Sequence, residues 1–292
     1  MAEAVLPARP GVSVQVLVLA AIGAASLASA LALDLSPARL IPAAGGLDQA
    51  KLFFAHALRP ALAYQDPSVP AGTTPLLLKA AEAAWQTVIF AAAAVSMSVL
   101  LGLLLGFAGS TAWWRGDLMP AVGGGQLFRR LAPALYAGTR LLIALMRSVH
   151  ELLWAVLFLA ALGLSELSAV IAIAIPYSGT LAKVFAELID EAPRDAAYAL
   201  RAAGASPWQV FAVGLLPRAL PDLTAYVLYR FECALRSSAV LGFFGYPTLG
   251  YYISASFENL HYGEVWTYLY AMLLLVVVAD RWSGAVRRRL VA

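Results

Sequence analysis

Charged side chains are scarce in this chain. Asp, Glu, Lys and Arg make up 13% of its 292 residues and hydrophobic residues 62%, whereas about a quarter of a soluble domain is charged. That balance excludes an ordinary water-soluble fold and points to an all-α protein that crosses a lipid bilayer repeatedly. Cysteine is nearly missing: Cys233 stands alone in an apolar run, which excludes a disulfide within the chain and reads as a small buried hydrophobe. Histidine occurs only at positions 56, 150 and 261, too far apart for metal-ligand spacing. Nucleotide-binding and nucleophile motifs are missing too. No GxxxxGKS or GxxxxGKT occurs, and the glycine triplet 123–125 is followed by Gln126 with no lysine nearby. There is no GxSxG, HExxH or CxxC. The sequence therefore predicts no catalytic residues, no metal, no cofactor and no ATPase site of its own, and no nucleic acid as partner.

What the chain does have is apolar length. About six transmembrane helices are expected, at roughly 12–33, 81–108, 135–162, 167–186, 220–244 and 265–280, since about 20 apolar residues cross a bilayer core. The first run also admits a signal-peptide reading, because Ala28-Ser29-Ala30 resembles a small-residue cleavage site. Leu47, Phe54, Leu58 and Leu62 recur at helical spacing, away from Asp48, Lys51 and Arg59. This is an amphipathic helix on the membrane or against the bundle, or an ordinary surface helix. A proline-rich loop follows at 66–75. We divide the chain into 1–74, a transmembrane helix plus an external amphipathic segment, and 75–292, a transmembrane core. Trp113 and Trp114 beside Arg115 read as an interface anchor.

Six spans put both termini on one face of the membrane. With that face cytoplasmic, the inner segments, together with Arg140 near the inner end of the third run, hold twelve arginines and the outer ones only Arg39, Lys51, Arg59 and Lys79. Positive charge favours the inside, so cytoplasmic N- and C-termini are expected in a multi-pass protein of the cell inner membrane.

The longest polar-punctuated passage, Glu191 to Pro221, then lies in the cytoplasm. It reads as two short helices hinged at Gly204-Ala205-Ser206-Pro207. Gly204 ends the first helix, Ser206 caps the second and Pro207 fits its first turn. Pro217 and Pro221 are expected to stop or kink that second helix.

Charge inside the spans is the other informative feature. Arg230, Glu232 and Arg236 fall near the middle of the fifth run, where each charge costs about 2.5–3.5 kcal/mol. Glu232 and Arg236 are four apart and are expected to pair, leaving Arg230 to another partner. Arg147 and Glu151 have the same spacing in the third run. These residues either clamp helices together or line a path that meets an anion. Tyr246, among Gly242, Gly245, Pro247 and Gly250, reads as part of an aromatic gate or of an interfacial belt. Tyr177, next to Pro176, marks a kink for gating or for packing.

Three passages resemble one family. Gly204-Ala205-Ser206, with Gly214 and Leu216-Pro217 at the following spacing, is similar to the EAA loop of ABC importer permeases, and its glycine-to-proline interval of thirteen matches. Tyr198 stands where the family has glutamate, and Gly214 where it has isoleucine. Arg147-Ser148-Val149-His150-Glu151-Leu152-Leu153-Trp154 resembles the RSIPELVW passage of phosphonate-type permeases, with His150 in place of proline. Tyr229-Arg230-Phe231-Glu232, Arg236 and Ala239-Val240-Leu241-Gly242 resemble a third passage of that subfamily. The resemblance covers roughly 75–285. It implies a type I, binding-protein-dependent importer permease whose coupling loop sits in a groove of an ABC ATPase subunit that binds the ATP. It further implies a second permease chain, identical or not, and an external solute-binding protein. Tyr198, Arg201, Gly204, Ala205, Ser206, Pro207, Gly214 and Pro217 would form the coupling surface. Arg147, Glu151, Tyr177, Arg230, Glu232, Arg236 and Tyr246 are the candidates for a path that conducts a small solute such as a phosphonate- or phosphate-like oxyanion. The alternative from another class is an ATP-independent transporter or channel, which would need ion-coupling acids and an internal repeat. An intramembrane enzyme would need a nucleophile–base pair, and Ser148 and His150 lie on different helix faces.

Overall fold

Lipid offers the backbone no hydrogen-bonding partner, so each apolar run closes its own bonds as a helix. The computed structural model describes residues 13–35, 44–70, 72–114 and 126–291, and every regular element among them is helical. The readings placed on Arg9, Arg39, Arg115 and the glycine triplet 123–125 lie outside the described residues, as do the side chains of Trp113 and Arg129. The chain divides into two compact units after Ala55.

The first unit holds α1 (Val14–Ala32) and α2 (Gly46–Ala55). Ser13 caps α1 by accepting a bond from the Val16 amide at 3.3 Å. No residue of α1 is buried within this unit's chain, and Leu17, Ile22, Leu27 and Leu31 are all exposed. Such an all-round apolar helix is suited to lipid. The helix expected to run on to Leu62 ends sooner, because His56–Leu58 tightens into a 3₁₀ turn just before Pro60.

The second unit contains α3 (Leu76–Gly109), α4 (Gln126–Ser148), α5 (Glu151–Leu162), α6 (Glu166–Glu191), α7 (Asp195–Ala202), α8 (Pro207–Gln209), α9 (Leu216–Val240), α10 (Leu249–Glu258) and α11 (Tyr262–Val291). α6 is its centre: Ala172, Ile173, Ala174, Leu181, Ala182 and Ala186 are completely buried. Small residues permit this closeness. A Cβ added at Gly102 of α3 would lie 2.8 Å from the Leu181 Cβ, and one at Gly106 would lie 2.9 Å from the Phe185 Cβ and 3.0 Å from the Ala182 carbonyl oxygen. Gly102 and Gly106 are one turn apart, the spacing that lets two helix backbones touch in a membrane. On the other side of α6, a Cβ at Gly179 would meet the Met146 Cβ of α4 at 2.8 Å. Ahead of α3, the 56–75 segment is bonded to α11. The Gln65 amide donates to Glu264 Oε1 at 2.6 Å, and the Glu264 amide donates to Gln65 Oε1 at 3.2 Å.

Two expectations are corrected here. The third run is not one straight span: α4 and α5 meet at a 90° bend. His150 has extended backbone (φ −66°, ψ 146°), and its Nδ1 accepts from the Leu152 amide at 3.3 Å. It is therefore the N-cap of a new helix rather than a residue inside an old one. Nor do the prolines stop the hairpin's second helix. From Pro207 the chain stays helical to Phe244, through a π-helical segment at Val210–Leu215 in which the Leu216 amide bonds back to Phe211. The wider turn accommodates a downstream proline that has no N–H to give. Among the described residues, five helices are long and apolar enough to cross a membrane, and the bent α4–α5 pair makes six.

The close crossing of α3 and α6 is directly testable. Gly106→Val should lower the melting temperature of the purified protein, consistent with an overpacking cost of about 1–3 kcal/mol. Gly138→Ala, where a Cβ meets nothing within 4 Å, should hold or slightly raise it, since alanine favours a helix interior over glycine. Equal melting of the two variants would contradict the packing described.

Candidate functional site

Two regions gather the residues that sequence reading singled out. The first is the hairpin at one end of the bundle. Ala192 precedes a proline and is extended (φ −57°, ψ 139°), which ends α6. α7 then closes with a left-handed Gly204 (φ +82°). The Gly204 amide donates to the Arg201 carbonyl at 2.9 Å and the Ala205 amide to the Leu200 carbonyl at 3.0 Å, the paired bonds of a Schellman cap. One residue later Ser206 starts α8 with a reciprocal capping box. Its Oγ accepts from the Gln209 amide at 3.4 Å, while its own amide donates to Gln209 Oε1 at 2.8 Å. Ending one helix and starting the next within four residues makes a tight, rigid elbow.

The hairpin's inner side is packed and its outer side is open. Ala197, Val210 and Leu215 are buried, whereas Tyr198 is 49% and Trp208 58% exposed. Gly204 and Ser206 are exposed as well. Gly214 explains one departure from the usual pattern: a Cβ there would lie 3.1 Å from the Ala197 Cα, so glycine lets α7 lie directly on the π segment. Phe107 at the end of α3 stacks on Trp208 (5.5 Å, 11°) and meets Phe211 edge-on (4.7 Å). Asp190 secures the same end. Its carboxylate accepts from the Ser110 hydroxyl at 2.7 Å and from the Thr111 and Ala112 amides at 3.0 and 3.1 Å. Sequence reading passed over Asp190. A carboxylate in the last turn of a helix opposes the helix dipole, and that is the signal for a side chain committed elsewhere.

The second region surrounds the α4–α5 bend. Glu151, Tyr177 and Arg236 come together there with His150 and Ser237 on a cavity of about 400 Å³. The Ser237 hydroxyl donates to Glu151 Oε1 at 2.9 Å and lies 3.0 Å from the Tyr177 hydroxyl. His150 Nε2 is 3.5 Å from Glu151 Oε2. Arg147 stands on the other side of the bend and faces a different crevice, so the regular i,i+4 geometry expected with Glu151 is broken. Arg230 is enclosed by tyrosines. Its Nε and Nη2 donate to the Tyr226 hydroxyl at 3.0 and 2.8 Å, and the guanidinium lies 5.3 to 6.0 Å from the rings of Tyr226, Tyr177 and Tyr229.

Glu232 does not pair with Arg236. Its Oε1 bonds Arg287 Nη2 of α11 at 3.2 Å, and Arg236 instead directs Nη2 to Cys233 Sγ at 3.6 Å. Arg287 reads in sequence as part of a basic tail, but α11 continues as helix to Val291 and brings it alongside α9. Tyr246 is 4% exposed, bonds the Ser168 hydroxyl at 2.7 Å and packs edge-on against Phe90 at 5.9 Å. It therefore sits in the helix packing and away from the 400 Å³ cavity. Among the described residues no group of three His, Cys, Asp or Glu side chains is arranged to hold a metal.

The charge assignment yields a double-mutant prediction. Glu232→Gln and Arg287→Gln should couple in melting free energy by about 0.5–3 kcal/mol. Glu232→Gln and Arg236→Gln should be additive to within about 0.5 kcal/mol. Coupling to Arg236 in place of Arg287 would contradict the pairing.

The comparisons with known proteins agree on the fold. The phosphite transport system permease protein PtxC of Stutzerimonas stutzeri is 36% identical over 159 residues, covering 53% of this chain and 57% of that protein. The phosphate-import permease protein PhnE of Mycolicibacterium smegmatis is 35% identical over 159 residues, covering 54% of this chain and 30% of its own length. The matched stretch thus spans little more than half of the first relative and less of the second. Among solved structures, the inward-facing MetNI methionine ABC transporter superposes with a TM-score of 0.60 at 20% identity, over 73% of this chain and 96% of that one. An amino acid ABC transporter gives 0.58 at 16% identity over 73% and 94%. The family model described as binding-protein-dependent transport system inner membrane component matches residues 79–292. This chain belongs to that family of inner-membrane transport components.

Proposed function

We propose that the chain is the path-forming permease subunit of an ABC importer, without catalytic activity of its own. Its partners would be an ABC ATPase subunit that binds and hydrolyses ATP, a second permease chain and an external solute-binding protein. The observation that carries this reading is the hairpin: a stiff elbow, open on its outer side, built as the start of a helix that runs unbroken to Phe244. With the hairpin in the cytoplasm, as the arginine distribution favours, an ATPase that grips Tyr198, Gly204, Ala205, Ser206 and Trp208 holds the end of a rod. Closing two ATPases on ATP would tilt both rods as rigid bodies and alternate the access of the path between them.

The rod carries Arg236 and Ser237, which face His150 and Glu151 across the 400 Å³ cavity at the α4–α5 bend. Tilting α9 therefore reshapes the cavity where Glu151, Tyr177 and Arg236 meet, and we assign the path there. Glu232 ties α9 to Arg287 of α11, and Arg230, bonded to Tyr226 of its own helix, reaches the Tyr177 ring of α6. Tyr246 holds the start of α6. An ATP-independent transporter would need acids free to bind a coupling ion, and Glu232 is committed to Arg287. We propose a phosphorus oxyanion as the solute, since the named relatives carry phosphite and phosphate and Arg236 supplies positive charge at the cavity.

Co-expression with a cognate ATPase subunit tests this. The native chain should capture the ATPase through purification. Ala205→Glu, which places a charge at the elbow, should cut capture or permease-stimulated ATP hydrolysis about tenfold or more, on the order of 1.4 kcal/mol, with the protein still monodisperse. Undiminished capture and transport in the variant would sink the coupling role.

A further inference from the structure

A second crevice, which the scheme above does not use, collects cations. Arg140, Arg147 and Lys183, with Ile143, Ala144 and Ser148, line a cavity of about 370 Å³ between α4 and α6. Arg140 and Arg147 are two turns apart and share one face of α4. That face is pressed toward α6 by Ile143, whose carbonyl would lie 3.0 Å from a Cβ on Gly179. The opposite face exposes Leu131, Leu135, Leu142 and Leu145. The cations are thus gathered on the crevice side of a helix whose other side is apolar. Ile143 also packs near Gly109 at the hairpin end of α3, which places the crevice between the bend and the hairpin.

Partners within the chain leave charge over. Arg140 directs only its Nε to the Tyr136 hydroxyl, at 3.2 Å. Lys183 shares Glu187 at 3.3 Å, and the Ser148 hydroxyl donates its proton to the Ala144 carbonyl at 2.5 Å. Arg147 is exposed and has no hydrogen-bonded or ion-paired partner among the described residues. Three cations beside one carboxylate carry a surplus of two positive charges.

We infer that this crevice binds a phosphate group. Two guanidinium groups offer paired N–H donors to tetrahedral oxygens, and the ammonium adds a point charge. The surplus equals the charge of hydrogen phosphate. The phosphate of an anionic lipid headgroup presents the same tetrahedral oxygens to these donors, with one negative charge in place of two. The site stands on geometry alone, and only a free anion as occupant rests on the proposed solute.

The test uses the chain purified with its ATPase subunit and placed in nanodiscs of phosphatidylcholine, with and without phosphatidylglycerol. Binding of radiolabelled inorganic phosphate is measured without ATP or binding protein, and phosphatidylglycerol retained through purification is quantified by mass spectrometry. In phosphatidylcholine discs, phosphate should bind saturably, and Arg147→Gln and Lys183→Gln should each weaken it about tenfold or more. Arg147→Lys, which keeps the charge but loses the paired donors, should bind more tightly than Arg147→Gln and covers the case of a glutamine variant that fails to assemble. Phosphatidylglycerol retained by the native chain and lost from the glutamine variants would identify a headgroup as occupant and equally support the site. Phosphate binding and lipid retention both unmoved by the glutamine variants would overturn it. If the ATPase is captured yet no variant changes binding, the site alone fails. If binding follows the variants but no ATPase is captured, the coupling role alone fails.

Discussion

The widened turn from Val210 to Leu215 is the constraint on which the working of this chain depends. A regular helix entering Leu216-Pro217 would press the proline ring against a preceding carbonyl and leave that carbonyl unpaired. By bonding the Leu216 amide five residues back to Phe211, the chain passes the proline without ending the helix. The hairpin and the spanning helix α9 thereby become one mechanical piece. A hairpin merely tethered by a loop would absorb a push, whereas a continuous helix transmits it. Gly214 lies in the same turn and lets α7 rest on it, so the elbow is braced against the rod at its base.

The rest of the bundle holds that rod in place. Contact between α3 and α6 is backbone-close through Gly102 and Gly106, a dry interface suited to lipid because small residues exclude neither helix from the other. Asp190 and the Phe107–Trp208 stack fix the hairpin end to the loop after α3. Ala234 and Leu235 seat α9 in the apolar core, and the polar connections to it are Glu232 to Arg287, Ser237 to Glu151, and Arg230 over the Tyr177 ring. Such bonds set position strongly in a low-dielectric interior and can be exchanged for others when a helix moves.

The elbow was legible in the sequence because its punctuation is local. Gly204 must supply a positive φ, Ser206 must accept at an N-cap and Pro207 fits a first turn, and all three are where the backbone needs them. The bend at His150 was not legible, since averaging over an apolar run is blind to a single cap. The π turn was hidden for the opposite reason: the prolines were read as a stop or a kink, and the compensation lies in hydrogen bonds upstream of them. Partner choice is the least legible property. Glu232 has Arg236 one turn away, yet it bonds Arg287 from another helix, a contact fixed by how α9 and α11 pack. Asp190, Tyr226, Ser237 and Lys183 escaped notice likewise, being ordinary polar residues until the fold sets them beside a cap, a cation or a cavity.

The central claim is that hairpin and span move as one body. Spin labels at Trp208 and Tyr229, in one chain of the assembled transporter and with Cys233 replaced, would measure this by double electron–electron resonance. The 21 residue steps from one to the other predict a separation of about 31 Å at 1.5 Å per step. That separation should stay narrow and unchanged between nucleotide-free and ATP-bound states, while distances from either label to the other permease chain shift. A change within the rod of about one helical turn, roughly 5 Å, would show a flexible joint at the π segment and contradict the account.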